Sequence, residues 1–171
     1  NISSVNSDAD DWQTLIDAMQ TYQSHGVIIF ASGNDETNDE PNVMAGLPVL
    51  VTELADAWLV VGNLDITGST VTSAAITRHS NECGSAAEFC VYADGTDITS
   101  TVGGFGGSIE DARYQIYSGS SMAAPQVAGA IALLSQAFPN HTPAQLTDRI
   151  LASANNDFFT ATGTTTFANG V

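Results

Sequence analysis

Short, continuous apolar runs in this chain are interleaved with segments whose apolar residues recur every three or four positions. Trp12, Leu15, Ile16, Met19 and Tyr22 stand at i, i+3, i+4, i+7 and i+10. That spacing predicts one apolar face of a helix, capped by Ser7 or Asp8 and running to about Ser24. Gly26 ends the pattern, and Val27-Ile28-Ile29-Phe30-Ala31 follows without a polar residue. A β-branched run of that kind predicts a strand covered on both faces, giving an αβ unit. Trp58–Gly62 reads as the next buried strand, and Val91–Ala93 as another. From Ser121 to about Ala137 the chain is apolar nearly all round, which predicts a buried central helix. Thr142-Pro143 supplies an N-cap and a first-turn proline for a last helix through about Ala154.

The 171 residues, 43% of them hydrophobic, suffice for one domain with a real core. No apolar run reaches the roughly 18 residues of a membrane span. The first residues lack a basic region followed by an apolar stretch, so no signal peptide is expected there. Charge narrows the choice of partners. Three arginines (Arg78, Arg113, Arg149) and no lysine stand against 19 acidic residues, for a net charge of -16. Such a chain should repel nucleic acid and anionic membrane surfaces, and it suits a secreted protein. Cys83 and Cys90 have neither further cysteines nor a suitably spaced histidine to complete a metal site. A local disulfide, implying an oxidising compartment, is the preferred reading, and two buried free thiols are the alternative.

Candidate chemistry concentrates in Gly119-Ser120-Ser121-Met122-Ala123-Ala124-Pro125. Small residues form a turn, and the apolar run beyond them places Val127, Ile131 and Leu134 on one helix face. Ser121 then lies at a helix N-terminus, where free N–H groups and the helix dipole favour negative charge. A nucleophile that passes through an oxyanion needs such a place. The string resembles the subtilisin-like serine protease signature G-T-S-M-A-x-P, with Ser120 in place of threonine. Upstream, Ala31-Ser32-Gly33-Asn34 ends an apolar strand and resembles the A-[AS]-G-N motif of the same family. In more detail the chain is similar to subtilase passenger domains of bacterial autotransporters. Ala45–Pro48, the Trp58 strand and the paired-cysteine loop carry that likeness, while Ala93-Asp94-Gly95 departs from their A-P-G turn.

This resemblance implies an α/β fold of three layers, a mainly parallel sheet with helices on both faces, here incomplete. It implies a serine endopeptidase with Ser121 as nucleophile, Asn34 in the oxyanion hole and Gly33 against the substrate. A protein or peptide substrate follows, and a secreted or cell-surface bacterial location. Family members carry the triad in the order Asp, His, Ser, yet neither D-[ST]-G nor H-G-T occurs here. His25, His79 and His141 stand in turn or surface contexts. Residues 1–171 are therefore expected to be the carboxyl-terminal portion of a catalytic domain, inactive alone and partnered by the upstream portion. The opening Asn1–Val5 matches the N-x-S-x-G cleft segment weakly, with Val5 at the glycine position. A non-catalytic remnant that binds or packs on a partner chain is the alternative, and an esterase a weaker one. No cofactor is expected. The acidic loop Asp35–Pro41 could take calcium, but it lacks an alternating-ligand pattern and reads as a solvated turn. Gly103–Gly107 reads as a flexible hairpin, since neither lysine nor helix follows it.

Overall fold

A computed structural model describes residues 9–67, 76–102 and 113–154. The expected cap at Ser7 or Asp8, the segment 1–5, the glycine run 103–107 and the chain end lie outside them.

The apolar runs form the sheet. Strand β1 (Ile28–Ala31) and strand β4 (Cys90–Asp94) flank strand β2 (Trp58–Ile66), both parallel to it. Strand β3 (Ile76–Arg78) pairs antiparallel with the far end of β2. Side chains of β2 alternate between two cores, as the strand period of two requires. Trp58 and Val60 enter one core with Leu47, Leu54, Ala86 and Phe89. Leu59 and Val61 enter the other with Val91, Ala123 and Val127. Helix α1 (Ala9–Gln23) serves the first core through Met19. Helices α2 (Ser120–Ala137) and α3 (Pro143–Ser153) serve the second. This is the expected three-layer α/β arrangement, with parallel strands predominating in the main sheet. Strand β5 (Ile98–Val102) and strand β6 (Arg113–Tyr117) form a separate antiparallel ribbon that leads into α2.

Three expectations need correction. Leu15 and Tyr22 are 38% and 55% exposed, so the covered face of α1 is Trp12, Ile16, Met19 and Gln23. Gln23 belongs there because its Nε2 donates to the Leu54 carbonyl at 2.6 Å. Helix α2 is not buried all round. Ala123 and Val127 face the sheet, but Leu133 is 69% exposed and nothing lies within 4 Å of a Cβ placed on Gly129. Apolarity made α2 suitable for burial, but only one flank has a covering layer among the described residues. Strand β2 also runs four residues past Gly62, because β3 and β4 extend its pairing.

Local chemistry fixes the remaining elements. Thr142 caps α3 in a reciprocal box: Gln145 N–H donates to Thr142 Oγ1 (3.3 Å) and Thr142 N–H to Gln145 Oε1 (3.0 Å). Trp58 stacks on Phe30 and donates its indole N–H to the Ala45 carbonyl at 2.9 Å. Cys83 and Cys90 form a disulfide around the short helical turn Gly84–Phe89, which settles the choice left open by the sequence.

Asp148 on α3 is a weak point of the fold. One carboxylate oxygen is buried without a hydrogen-bond partner. Burial, and secondarily the charge of Asp56, raises its pKa above the ordinary aspartate value. The folded state thus holds the proton more tightly than the unfolded chain. The stability this confers is full in acid, below the ordinary carboxylate range, and is lost as pH rises through the raised value. Asp148→Asn should therefore raise Tm at pH 7, with the gain vanishing near pH ~3. Thermal melts of both proteins at the two pH values check this.

Candidate functional site

The end of β1 and the start of α2, 86 residues apart in sequence, meet at Asn34 and Ser120. Ser120 N–H donates to Asn34 Oδ1 at 2.8 Å, and Ser120 Oγ lies 2.9 Å from the same oxygen. A backbone N–H can only donate, so the amide oxygen must face the helix. Asn34 Nδ2 is thereby turned away from that contact, and it has no hydrogen bond to the described residues. Ser120 itself is buried and ties the two elements further. Its hydroxyl lies 3.0 Å from the Gly33 carbonyl and accepts from Gly33 N–H at 3.2 Å.

Two glycines make this approach possible. Gly119, the residue before α2, has φ +146°, and a Cβ there would sit 3.0–3.1 Å from the Asn34 amide. Gly33 has φ +118°, and a Cβ there would fall 2.4 Å from Asn81 Oδ1. The close approach that Gly33 permits is thus already used inside the protein, by Asn81. Behind Gly119, Gly95 accepts from Gly119 N–H at 2.9 Å and donates to the buried Asn63 Oδ1 at 2.7 Å. Central strand β2 is in this way linked to the helix start.

Ser121 follows as the second residue of α2 and is exposed. Its N–H belongs to the first turn, where no intrahelical acceptor exists. Pro125 lacks the N–H that would otherwise bond the Ser121 carbonyl. A backbone N–H without an intrahelical acceptor and an amide NH₂ one residue's contact away are the kind of donor pair that stabilises an oxyanion, and the Ser121 hydroxyl is the candidate attacking group. None of the three histidines is hydrogen-bonded to Ser121 among the described residues. His25 Nδ1 meets Ser24 Oγ at 2.6 Å, His79 Nδ1 meets Glu36 Oε1 at 2.6 Å, and His141 packs on Phe138.

The acidic loop after Asn34 uses its carboxylates for its own folding. Asp35 accepts from the hydroxyl and N–H of Thr37, and Glu40 from the hydroxyl and N–H of Ser85. These bonds hold both pKa values below the ordinary range. Among the described residues no group of three or more His, Cys, Asp or Glu side chains is placed to hold a metal ion.

The Subtilase family model matches residues 1–170. The chain belongs to the subtilase family. An extracellular serine protease of Serratia marcescens is 32% identical over 148 residues, covering 77% of this chain and 14% of that protein. Fervidolysin of Fervidobacterium pennivorans is 31% identical over 157 residues, covering 85% and 20%. Among solved structures, the prenylagaramide maturation protease PagA superposes with a TM-score of 0.63 at 28% identity, covering 88% of this chain and 48% of its own. The fervidolysin crystal structure gives 0.58 at 29% identity over 84% of this chain and 21% of its own. This subtilase chain thus spans a fifth or less of those curated relatives and under half of those solved chains.

Ser121, Asn34 and Gly33 were all legible as candidates in the sequence of this subtilase. Gly119 and Ser120 were legible only as members of the serine motif, and Asn63 and Asn81, which brace the site from behind, were not. Gly119 offers a test of the contact. A side chain at its positive φ, pressed on the Asn34 amide, should cost about 1–3 kcal/mol in Gly119→Ala. Urea denaturation read by circular dichroism measures it, and an unchanged midpoint would mean that the two elements are not held this closely.

Proposed function

We propose that this chain is the carboxyl-terminal portion of a subtilase catalytic domain that cleaves peptide bonds with Ser121 as nucleophile. The observation that carries the reading is the Asn34–Ser120 contact, which brings Asn34 to the residue before Ser121 with its amide oxygen engaged and its Nδ2 left to donate. In the reaction, Ser121 Oγ bonds to the scissile carbonyl carbon while its proton passes to a histidine base. The carbonyl oxygen becomes an anion held by Asn34 Nδ2 and Ser121 N–H. Collapse breaks the C–N bond, the histidine returns the proton to the leaving amine, and water hydrolyses the acyl-enzyme by the same steps. The engagement of His25, His79 and His141 elsewhere supports a base, and its orienting aspartate, in the upstream portion of the domain. On this reading the 171 residues alone are inactive. Gly33, whose N–H and carbonyl are already bonded to Ser120 and Asn81, would serve the substrate site by shaping the turn that carries Asn34.

The disulfide and the extracellular relatives support a secreted bacterial protein, and the cysteine-loop resemblance supports an autotransporter passenger. Treating the complete protein with a fluorophosphonate and mapping the adduct tests the central assignment. Phosphonylation of Ser121, abolished in Ser121→Ala together with peptidase turnover, is expected. Labelling at Ser118, Ser120 or Ser135 would remove Ser121 from the role. No labelling and no turnover would favour the non-catalytic remnant.

A further inference from the structure

We propose that Asn81 is a positioning residue for Asn34: one buried side chain and its own backbone brace both peptides that flank the oxyanion donor. The proposal rests on the reading of Asn34 given above and goes beyond it by naming what aims that side chain. Asn81 N–H donates to the Gly33 carbonyl at 3.2 Å. Asn81 Oδ1 accepts from Asp35 N–H at 2.9 Å. Asn34 is thus pinned on its amino-terminal side and on its carboxyl-terminal side by the same residue. The brace is needed because Gly33, at φ +118°, turns the chain out of β1, so the strand no longer dictates where Asn34 points. Ser120 holds this turn from the helix, and Asn81 holds it from the segment that follows β3.

Asn81 is itself rigidly placed. It is 1% exposed, and its Nδ2 donates to the Glu40 carbonyl at 2.8 Å, which fixes the amide so that Oδ1 must face Asp35. The preceding Ser80 accepts from Asn63 N–H on central strand β2 at 2.9 Å. Arg78 bonds the Ser80 carbonyl, the Glu36 carbonyl and Glu82, and the Cys83–Cys90 bridge begins two residues on. The brace is therefore anchored to the most buried strand of the sheet. The Asn81 side-chain oxygen and backbone N–H are both spent on the peptides that flank Asn34, while its Nδ2 is spent on the Glu40 carbonyl that orients the amide.

The test is a double-mutant cycle on the complete protein, measuring kcat, KM and Tm with a peptide substrate. Asn34→Ala is expected to lower kcat by about 10²–10³, the range given by the subtilisin case for one oxyanion donor. Asn81→Ala, which lets that donor drift, is expected to lower kcat by about 10- to 100-fold with KM little changed. In the Asn34→Ala background the Asn81→Ala change should leave kcat essentially where Asn34→Ala put it, since no donor remains to be aimed. Tm should fall similarly in both backgrounds. A loss of kcat by the same factor in both backgrounds would make Asn81 merely structural and overturn the proposal. So would an unchanged kcat in Asn81→Ala when Asn34→Ala is impaired. An unimpaired Asn34→Ala would instead remove the oxyanion reading, and the proposal with it. If Asn81→Ala does not accumulate as folded protein, the isosteric Asn81→Asp keeps the acceptor for Asp35 N–H. It should retain kcat well above that of Asn34→Ala, and a kcat as low as that variant's in folded protein would overturn the proposal.

Discussion

A single backbone donor, Ser120 N–H, closes on the side-chain oxygen of Asn34 and joins the end of β1 to the start of α2. Everything proposed for this chain depends on that closure. It sets the rotamer of Asn34, because only the oxygen can face the helix, and it leaves the NH₂ group beside the first turn of α2. The energy of such a bond is modest, about 0.5–1.5 kcal/mol net. Its consequence is geometric. Two segments 86 residues apart can present donors to one atom only if their separation is fixed to within tenths of an ångström.

Fixing that separation engages much of the described structure. Parallel pairing of β1, β2 and β4 sets where β1 ends and where the chain turns at Gly95. Ala123 and Val127 seat α2 on the sheet, with Ile150 and Leu151 of α3 in the same core. Glycine at 119 and 33 removes the side chains that would keep the elements apart. On the far side, the acidic loop is bound to the disulfide segment through Glu40–Ser85, Glu36–His79 and Asn81. Asp35 and Glu40 accept from neighbouring N–H and O–H groups, which offsets the crowding of acidic residues in this loop.

Sequence reading reached the buried strands as continuous apolar runs, α1 through its 3.6-residue period and α3 through its Thr142-Pro143 start. It reached Ser121 and Asn34 because both sit at breaks in apolar runs, where the chain must turn, and because the surrounding motifs resemble the subtilases. The details it missed are those carried by long-range polar pairing. Asn81 lies in an unremarkable Ser-Asn-Glu stretch, and its long-range partners are 41 to 49 residues away, so no local pattern marks it. The helical turns 47–49, 52–57 and 84–89, strand β3 and the β5–β6 ribbon are held by tertiary contacts rather than periodicity. Leu15, Tyr22 and Leu133 fail for a different reason, since apolarity states a preference for burial without saying which layer will provide it.

The claim at the centre is that Asn34 Nδ2 and Ser121 N–H converge on one developing anion. A crystal structure of the complete protein with a peptide aldehyde bound would test it directly, through the positions of the adduct's carbon and oxygen. The account predicts a covalent bond from Ser121 Oγ to that carbon. It also predicts the adduct oxygen at about 2.7–3.1 Å from both Asn34 Nδ2 and Ser121 N. An adduct whose oxygen points away from Asn34, or an Asn34 amide oxygen that no longer accepts from Ser120, would contradict it.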